Sequence, residues 1–166
     1  MPTEAFRVSD YGDLREPGEN VWRGWIFQVS ESTVVTHLIG GGTSGTFQVS
    51  LAEVDSNDGE VVEILGAANI GGDNSELAVE LSTPVTLTTG VTYALVQGRV
   101  MGAGSHYRVE NVDVDALEAH PRILAGSWMP DTGDHAYRWW GGYGVGLAPE
   151  ATLNANMPRI GFRYQP

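Results

Sequence analysis

The chain has 166 residues, no cysteine and a formal net charge of −12 at pH 7. The length suits one domain with a sizeable core, and the lack of cysteine excludes disulfides and thiolate metal sites. All 9 basic residues are arginine, against 21 acids. Such a surface repels phosphate backbones and anionic membranes, so we expect no nucleic-acid partner and no membrane partner.

The first 20 residues are polar and contain several prolines and glycines, which predicts an N-terminal arm ahead of one domain at residues 21–166. A short edge strand is expected near residues 5–8. The arm either docks on a neighbouring subunit or is a disordered tail. It has no basic start followed by an apolar run, so we predict no signal peptide. No apolar stretch approaches the ~20 residues of a membrane helix.

Residues 21–30, VWRGWIFQVS, predict the first strand of the domain. Apolar side chains alternate on both of its faces, with Trp22 on one and Trp25 on the other. A strand that is apolar on both faces lies in the middle of a sheet or against a partner. We therefore predict subunit contacts at Trp22 and Trp25, and also at Trp128 further along the chain. A β-branched strand follows at residues 33–39.

The most regular alternation of apolar and polar residues is at Thr46–Val54, which predicts a strand with one buried face. Asp, Asn and Gly at residues 55–59 predict a hairpin turn into a returning strand at residues 60–65. These acids also have a passing likeness to a calcium loop, but the glycine comes too early and no helices flank it. Residues 67–75 predict a loop.

Residues 76–97 predict two further strands separated by a turn at Thr89-Gly90. Pro84 is expected between two short runs, where no ladder donor is lost. The second strand extends over residues 91–101, with Gly98 as a possible bulge, and is expected to form a hairpin with residues 105–112. The remaining predicted elements are a short helix at residues 113–120, a strand at 122–128, a long loop at 129–146 and a final strand at 159–164.

Nine or ten short strands with almost no helix predict an all-β fold, a two-sheet antiparallel sandwich of jelly-roll type. Such a fold buries enough apolar surface to be stable without a metal or a cofactor. We therefore predict that the protein binds no metal and no cofactor. The four histidines are scattered, and none has the spacing of a helical zinc pair.

The long loop near the C-terminal end carries the strongest functional signal. Exposed aromatic rings stack on sugars, and carboxylates or guanidinium groups bind sugar hydroxyls, so this loop is a candidate ligand site. Burial in the core or at a subunit interface is the competing interpretation. The candidate residues are Trp139, Trp140 and Tyr143, with Asp131, Asp134 and Arg138 beside them.

No pattern in the sequence predicts catalysis. No serine sits in a Gly-x-Ser-x-Gly elbow, and Gly40-Gly41-Gly42 lacks the lysine and the helix of a phosphate loop. Carboxylates are plentiful, so a pair at glycosidase spacing stays open, but nothing marks one. We predict that the protein is not an enzyme.

The segment STPVTLTTGVTYAL at residues 82–95 contains a Pro-Val-x-Leu-x-x-Gly-x-x-Tyr pattern. This pattern, after a strand such as Thr46–Val54, resembles jelly-roll domains of phage tail-fibre, head-decoration and bacterial surface proteins. The closing PRIGF at residues 158–162 is similar to their last strand. The resemblance implies a non-enzymatic virion or surface module, often trimeric, and carries over no binding residues.

Three functions follow from these observations. The first is a virion structural protein, a capsid decoration or cement subunit or a fibre subunit, made in the host cytoplasm and placed on the virion surface. Its partners would be other virion proteins and copies of itself, for example in a homotrimer. The second is a carbohydrate-binding or receptor-binding module that holds a glycan with the aromatic loop. The third is a carbohydrate-active hydrolase.

Overall fold

The computed structural model describes residues 3–15, 22–71, 76–102, 108–124, 137–152 and 157–166. This part of the chain contains one short α-helix, α1 (Val114–Glu118), and a 3₁₀ turn at Val8–Tyr11. Its strands are β1 (Glu4–Arg7), β2 (Asp13–Arg15), β3 (Trp22–Phe27), β4 (Thr33–Gly40), β5 (Thr46–Val54), β6 (Val61–Gly71), β7 (Leu77–Leu87), β8 (Tyr93–Met101), β9 (Arg108–Glu110), β10 (Tyr137–Trp140), β11 (Ala151–Thr152), β12 (Met157–Pro158) and β13 (Gly161–Tyr164).

Two antiparallel sheets pack face to face, which confirms the predicted all-β sandwich of jelly-roll type. The four-stranded sheet has the order β1-β13-β4-β7, and the six-stranded sheet has the order β11-β10-β3-β8-β5-β6. A small third sheet has the order β12-β9-β2. Strands that are distant in sequence are therefore neighbours, as β1 and β13 are.

An aromatic cluster fills the space between the two main sheets. Trp25 and Phe27 on β3 stack with a centroid separation of 5.2 Å. From the opposite sheet, Phe6 stacks on Trp25 at 5.3 Å, and Phe162 stacks on Phe27 at 5.9 Å. All four rings are fully buried. Together they contribute several kcal/mol of burial, at about 1.5–3 kcal/mol for each large side chain.

The predicted strand at Thr46–Val54 is confirmed as β5. The alternation of apolar and polar side chains along it determines which of its faces points into the core. The turn that follows is also a hairpin turn as predicted, since the backbone N–H of Asn57 donates to Asp55 Oδ1 at 2.8 Å. The returning strand β6 is longer than predicted and continues to Gly71. It pairs with β5 along its whole length, because a good partner strand outweighs the weak strand propensity of its glycines and asparagine.

Strand β7 is continuous, but its ladder with β4 has two paired runs, Leu77–Glu80 and Val85–Leu87. Pro84 lies between these runs as predicted, so no ladder donor is lost there. Gly98 is not a bulge. A Cβ at this position would lie 2.1 Å from Cδ2 of Trp22, so glycine makes room for that indole.

The edge strand predicted near residues 5–8 is present as β1, at the edge of the four-stranded sheet, and it packs on the sandwich. Strand β1 pairs with β13, and Phe6 and Val8 are fully buried. The predicted helix is present as α1, and Asp113 caps it by accepting from the backbone N–H of Ala116 at 3.1 Å. The final strand is also as predicted, with Phe162 buried.

The predicted hairpin between residues 91–101 and 105–112 is wrong. Strand β8 lies between β3 and β5, and β9 pairs with β2 and β12 in the third sheet. A local hairpin is the default for consecutive strands, but here the chain moves to another sheet instead. Within the predicted strand at residues 122–128, the described part has only an isolated bridge between Ile123 and Val29.

Candidate functional site

Residues 141–150 form a flap that connects β10 to the edge strand β11 and crosses the outer face of the six-stranded sheet. Four of these residues are glycine, and Gly146 has a φ of +87°, which favours glycine. The N–H of Gly146 donates to Val61 O at 2.9 Å, and the N–H of Val61 donates to Leu147 O at 3.0 Å. The flap therefore reaches from one edge of the sheet to the start of β6 at the other.

Aromatic packing attaches the flap to the sheet. Trp22 on β3 and Trp140 on β10 are paired residues, and Tyr143 contacts both of them. Its ring stacks on Trp22 with centroids 4.9 Å apart and meets Trp140 edge to face at 5.9 Å. Such ring pairs add about 0.5–1.5 kcal/mol to the burial itself. The flap is therefore a packed element of the fold.

A buried hydrogen bond fixes the hydroxyl end of Tyr143. Its Oη lies 3.0 Å from Oγ of Ser50 on β5, and Ser50 has no exposed surface. Burial raises the pKa of Tyr143 to about 12, while the hydrogen bond to Ser50 acts in the opposite direction. The sequence held no signal for this contact, because the two residues are 93 positions apart.

The predicted ligand residues are only partly available to a ligand. Trp140 is fully buried and Arg138 is 3% exposed, so neither offers a surface for stacking or for hydroxyl binding. Tyr143 is partly covered and uses its hydroxyl on Ser50. Trp139 is the one predicted ring of β10 that keeps partial exposure. Asp131 and Asp134 lie outside the described residues.

The predicted subunit contacts also differ in their exposure. Trp25 is fully buried between the two sheets of a single chain, so the expectation that it touches a neighbouring subunit does not hold. Its strand is apolar on both faces because it lies mid-sheet and is covered by the other sheet on one face and by the flap on the other. Trp22 is partly exposed beside Tyr143. Trp128 lies outside the described residues.

The flap and the neighbouring part of β6 leave four large apolar side chains in contact with solvent, and we call these residues the flap patch. They are Val62 (49% exposed), Ile64 (42%), Val145 (65%) and Leu147 (45%). The hydrogen bonds of Val61 hold the flap beside β6, so all four lie in one region. Clustered exposed apolar side chains mark interaction sites more often than single ones do.

A small pocket of about 220 Å³ lies on the outer face of the four-stranded sheet. Arg7 is central to it, with contacts of 3.0 Å to Asp10 and 3.9 Å to Glu76. The hydroxyl of Ser9 donates to Glu76 at 3.2 Å. Burial raises the pKa of the Glu76 carboxyl, partly offset by Ser9 and by nearby arginines. The sequence did not predict this cluster, which ties the N-terminal segment to the start of β7.

The described histidines have structural contacts. His120 Nδ1 accepts from the backbone N–H of Arg122 at 3.1 Å, and its ring packs edge to face on Phe6 at 5.4 Å. His37 Nδ1 lies 2.8 Å from the hydroxyl of Thr36. Within the described ranges, no three His, Cys, Asp or Glu side chains are grouped as a metal site would require. In the same part of the chain, no helix has the length and apolar character needed to cross a membrane.

Comparison of the sequence with protein-family models found no matching family, and comparison with curated proteins found no match. The fold is therefore established by the structure alone.

Proposed function

We propose that this chain is a non-enzymatic structural protein of a virus particle, either a capsid decoration or cement subunit or a fibre subunit. It would act through protein–protein contacts. The observation that carries this proposal is the flap patch, an exposed apolar region held on a rigid, closely packed sandwich. Its assignment to a virus particle is supported by the resemblance of residues 82–95 and 158–162 to jelly-roll domains of such particles.

The packing of the sandwich supports contact rather than enclosure of a ligand. Trp140 is buried and Tyr143 is tied to Ser50, so the aromatic loop stabilises the sheet surface instead of forming an open stacking platform. The exposed side chains of the flap patch are aliphatic, and aliphatic groups bind by burial against another apolar surface. For this reason we favour protein contact over the glycan-binding hypothesis.

Mass spectrometry of purified particles from the virus that encodes the chain tests the proposal. We expect the protein at a fixed copy number per particle and absent from particles made without its gene. If it is a cement subunit, particles without it should lose their DNA at a lower temperature. Purified particles that lack the protein while infected cells contain it would contradict the proposal.

A further inference from the structure

The charges around the flap patch indicate which kind of partner it binds. Three exposed carboxylates lie next to the patch residues of β6 in the chain, namely Asp58, Glu60 and Glu63. Residues 55–71 and 141–150, which supply the patch and its surroundings, contain no arginine, lysine or histidine. In the described part of the chain, none of these three carboxylates forms an ion pair. The charged side chains of these two segments are therefore all acidic, and we call the three carboxylates the rim of the patch.

An acidic rim favours partners with positive charge and disfavours partners with negative charge. Two copies meeting through this face would bring carboxylates together, and like charges in contact oppose association. The whole chain, at −12, adds to that repulsion. A partner with lysine or arginine around an apolar centre would gain attraction at the rim and burial at the centre.

We propose that the flap patch binds a different protein, through an apolar surface rimmed by lysine or arginine. This inference rests on the proposed function, because it specifies the partner of a contact protein. Any self-association of the chain would then use another of its surfaces. The hydrogen bonds between the flap and Val61 preorganise the patch, which reduces the entropy lost on binding.

Two short amphipathic helical peptides test the patch in solution. Both have leucine on one face, and the other face has lysine in one peptide and glutamate in the second. We expect the lysine peptide to bind and the glutamate peptide not to bind. Raising NaCl from about 50 mM to about 500 mM should weaken the lysine peptide, because salt screens the rim charges. Equal binding of both peptides would overturn the proposal.

A matched pair of double variants locates the binding site. Val145→Ser with Leu147→Ser removes the two flap side chains, and we expect it to weaken the lysine peptide about tenfold. Val100→Ser with Met101→Ser makes the same change at another exposed pair, of which Met101 is 70% exposed. Val100 and Met101 lie at the end of β8 that points away from the flap patch, about 26 Å from the patch along the strands. The control variant should therefore change the affinity for the lysine peptide by less than about twofold. Equal weakening by both variants would overturn the proposal.

Carbodiimide cross-linking of purified particles tests the partner itself. The reagent joins carboxylates to amines, and this chain has no lysine, so any carboxylate–lysine link from it must end in a different protein. We expect links from Asp58, Glu60 or Glu63. Links confined to other faces would overturn the inference while leaving the proposed function standing.

Analytical sedimentation of the purified chain tests whether the flap patch binds a second copy of the chain, and this measurement needs no particles. We expect the flap variant and the unmodified chain to sediment alike. A dimer that Val145→Ser with Leu147→Ser abolishes would show that a second copy occupies the patch, and would overturn the inference. If the protein is absent from particles, the proposed function fails, while the peptide and sedimentation measurements still decide the inference.

Discussion

The hydrogen bond between Tyr143 and Ser50 is the contact whose removal best tests how the flap is held. Tyr143→Phe keeps the ring and deletes only the hydroxyl that lies 3.0 Å from Ser50 Oγ. Ser50 is fully buried, so the change leaves a buried hydroxyl without a partner. That state costs about 1–3 kcal/mol. For a domain of this size, each kcal/mol lowers the melting temperature by about 2–4 °C.

A double-mutant cycle separates this hydrogen bond from other effects. Ser50→Ala leaves the Tyr143 hydroxyl without its partner, and we expect it also to cost about 1–3 kcal/mol. The double variant has no unpaired hydroxyl, so we expect its loss to be about 1 kcal/mol smaller than the sum of the single losses. Urea unfolding followed by tryptophan fluorescence measures all three free energies of unfolding.

Tyr11→Phe is the matched control for this cycle, since among the described residues Tyr11 makes no side-chain hydrogen bond. It should change the free energy of unfolding by less than about 0.5 kcal/mol. Hydrogen exchange gives a local readout, because the Gly146 N–H bonds to Val61 O and should exchange faster in Tyr143→Phe. Losses that simply add in the double variant, or a Tyr143→Phe no worse than Tyr11→Phe, would refute the reasoning.

Three further predictions concern packing and charge. Gly98→Ala should lower the free energy of unfolding by about 1–3 kcal/mol, because the new Cβ would lie 2.1 Å from the Trp22 ring. Gly71→Ala is the control, since a Cβ there would have no atom within 4 Å, and it should leave the free energy of unfolding unchanged. Equal unfolding midpoints of the two variants would contradict the prediction. Burial raises the pKa of Glu76 above 4.5, so its contribution to stability is present at low pH and lost as pH rises through the folded pKa. Glu76→Gln should therefore be more stable than the unmodified chain at pH ~7 and equally stable near pH ~4. A variant that is less stable than the unmodified chain at pH ~7 would show that the contacts of Glu76 with arginine outweigh its burial. The pKa of Tyr143 is raised to about 12, so its hydroxyl should stay mostly protonated near pH ~11. The tyrosinate absorbance of Tyr143→Phe should therefore equal that of the unmodified chain near pH ~11 and fall below it only at higher pH. A difference in absorbance already present near pH ~10 would contradict the prediction.

The parts of the fold that the sequence predicts are those set by local pattern. Strict alternation located β5, and the Asp, Asn and Gly run located the turn after it. The errors arose where tertiary context overrides a local rule. Residues 67–71 were predicted as a loop, but β6 continues through them because β5 supplies a partner strand.

The candidate site was harder to predict, because exposure is a property of packing and not of residue type. Trp139 and Trp140 are adjacent and chemically identical, yet Trp140 is fully buried and Trp139 is partly exposed. Their difference follows from the flap, which lies over the face that Trp140 occupies. The four apolar residues of the flap patch carried no motif, and their clustering depends on hydrogen bonds between segments about 85 residues apart, such as that of Val61 with Gly146.

The most direct test of the account is the amount of each variant bound to purified particles. Particles lacking the protein would be mixed with the unmodified chain, with Val145→Ser/Leu147→Ser, or with Val100→Ser/Met101→Ser, after urea unfolding has shown that all three are equally stable. The account predicts that the flap variant loses about tenfold in affinity for the particles, while the control variant binds like the unmodified chain. Full binding by the flap variant would contradict it.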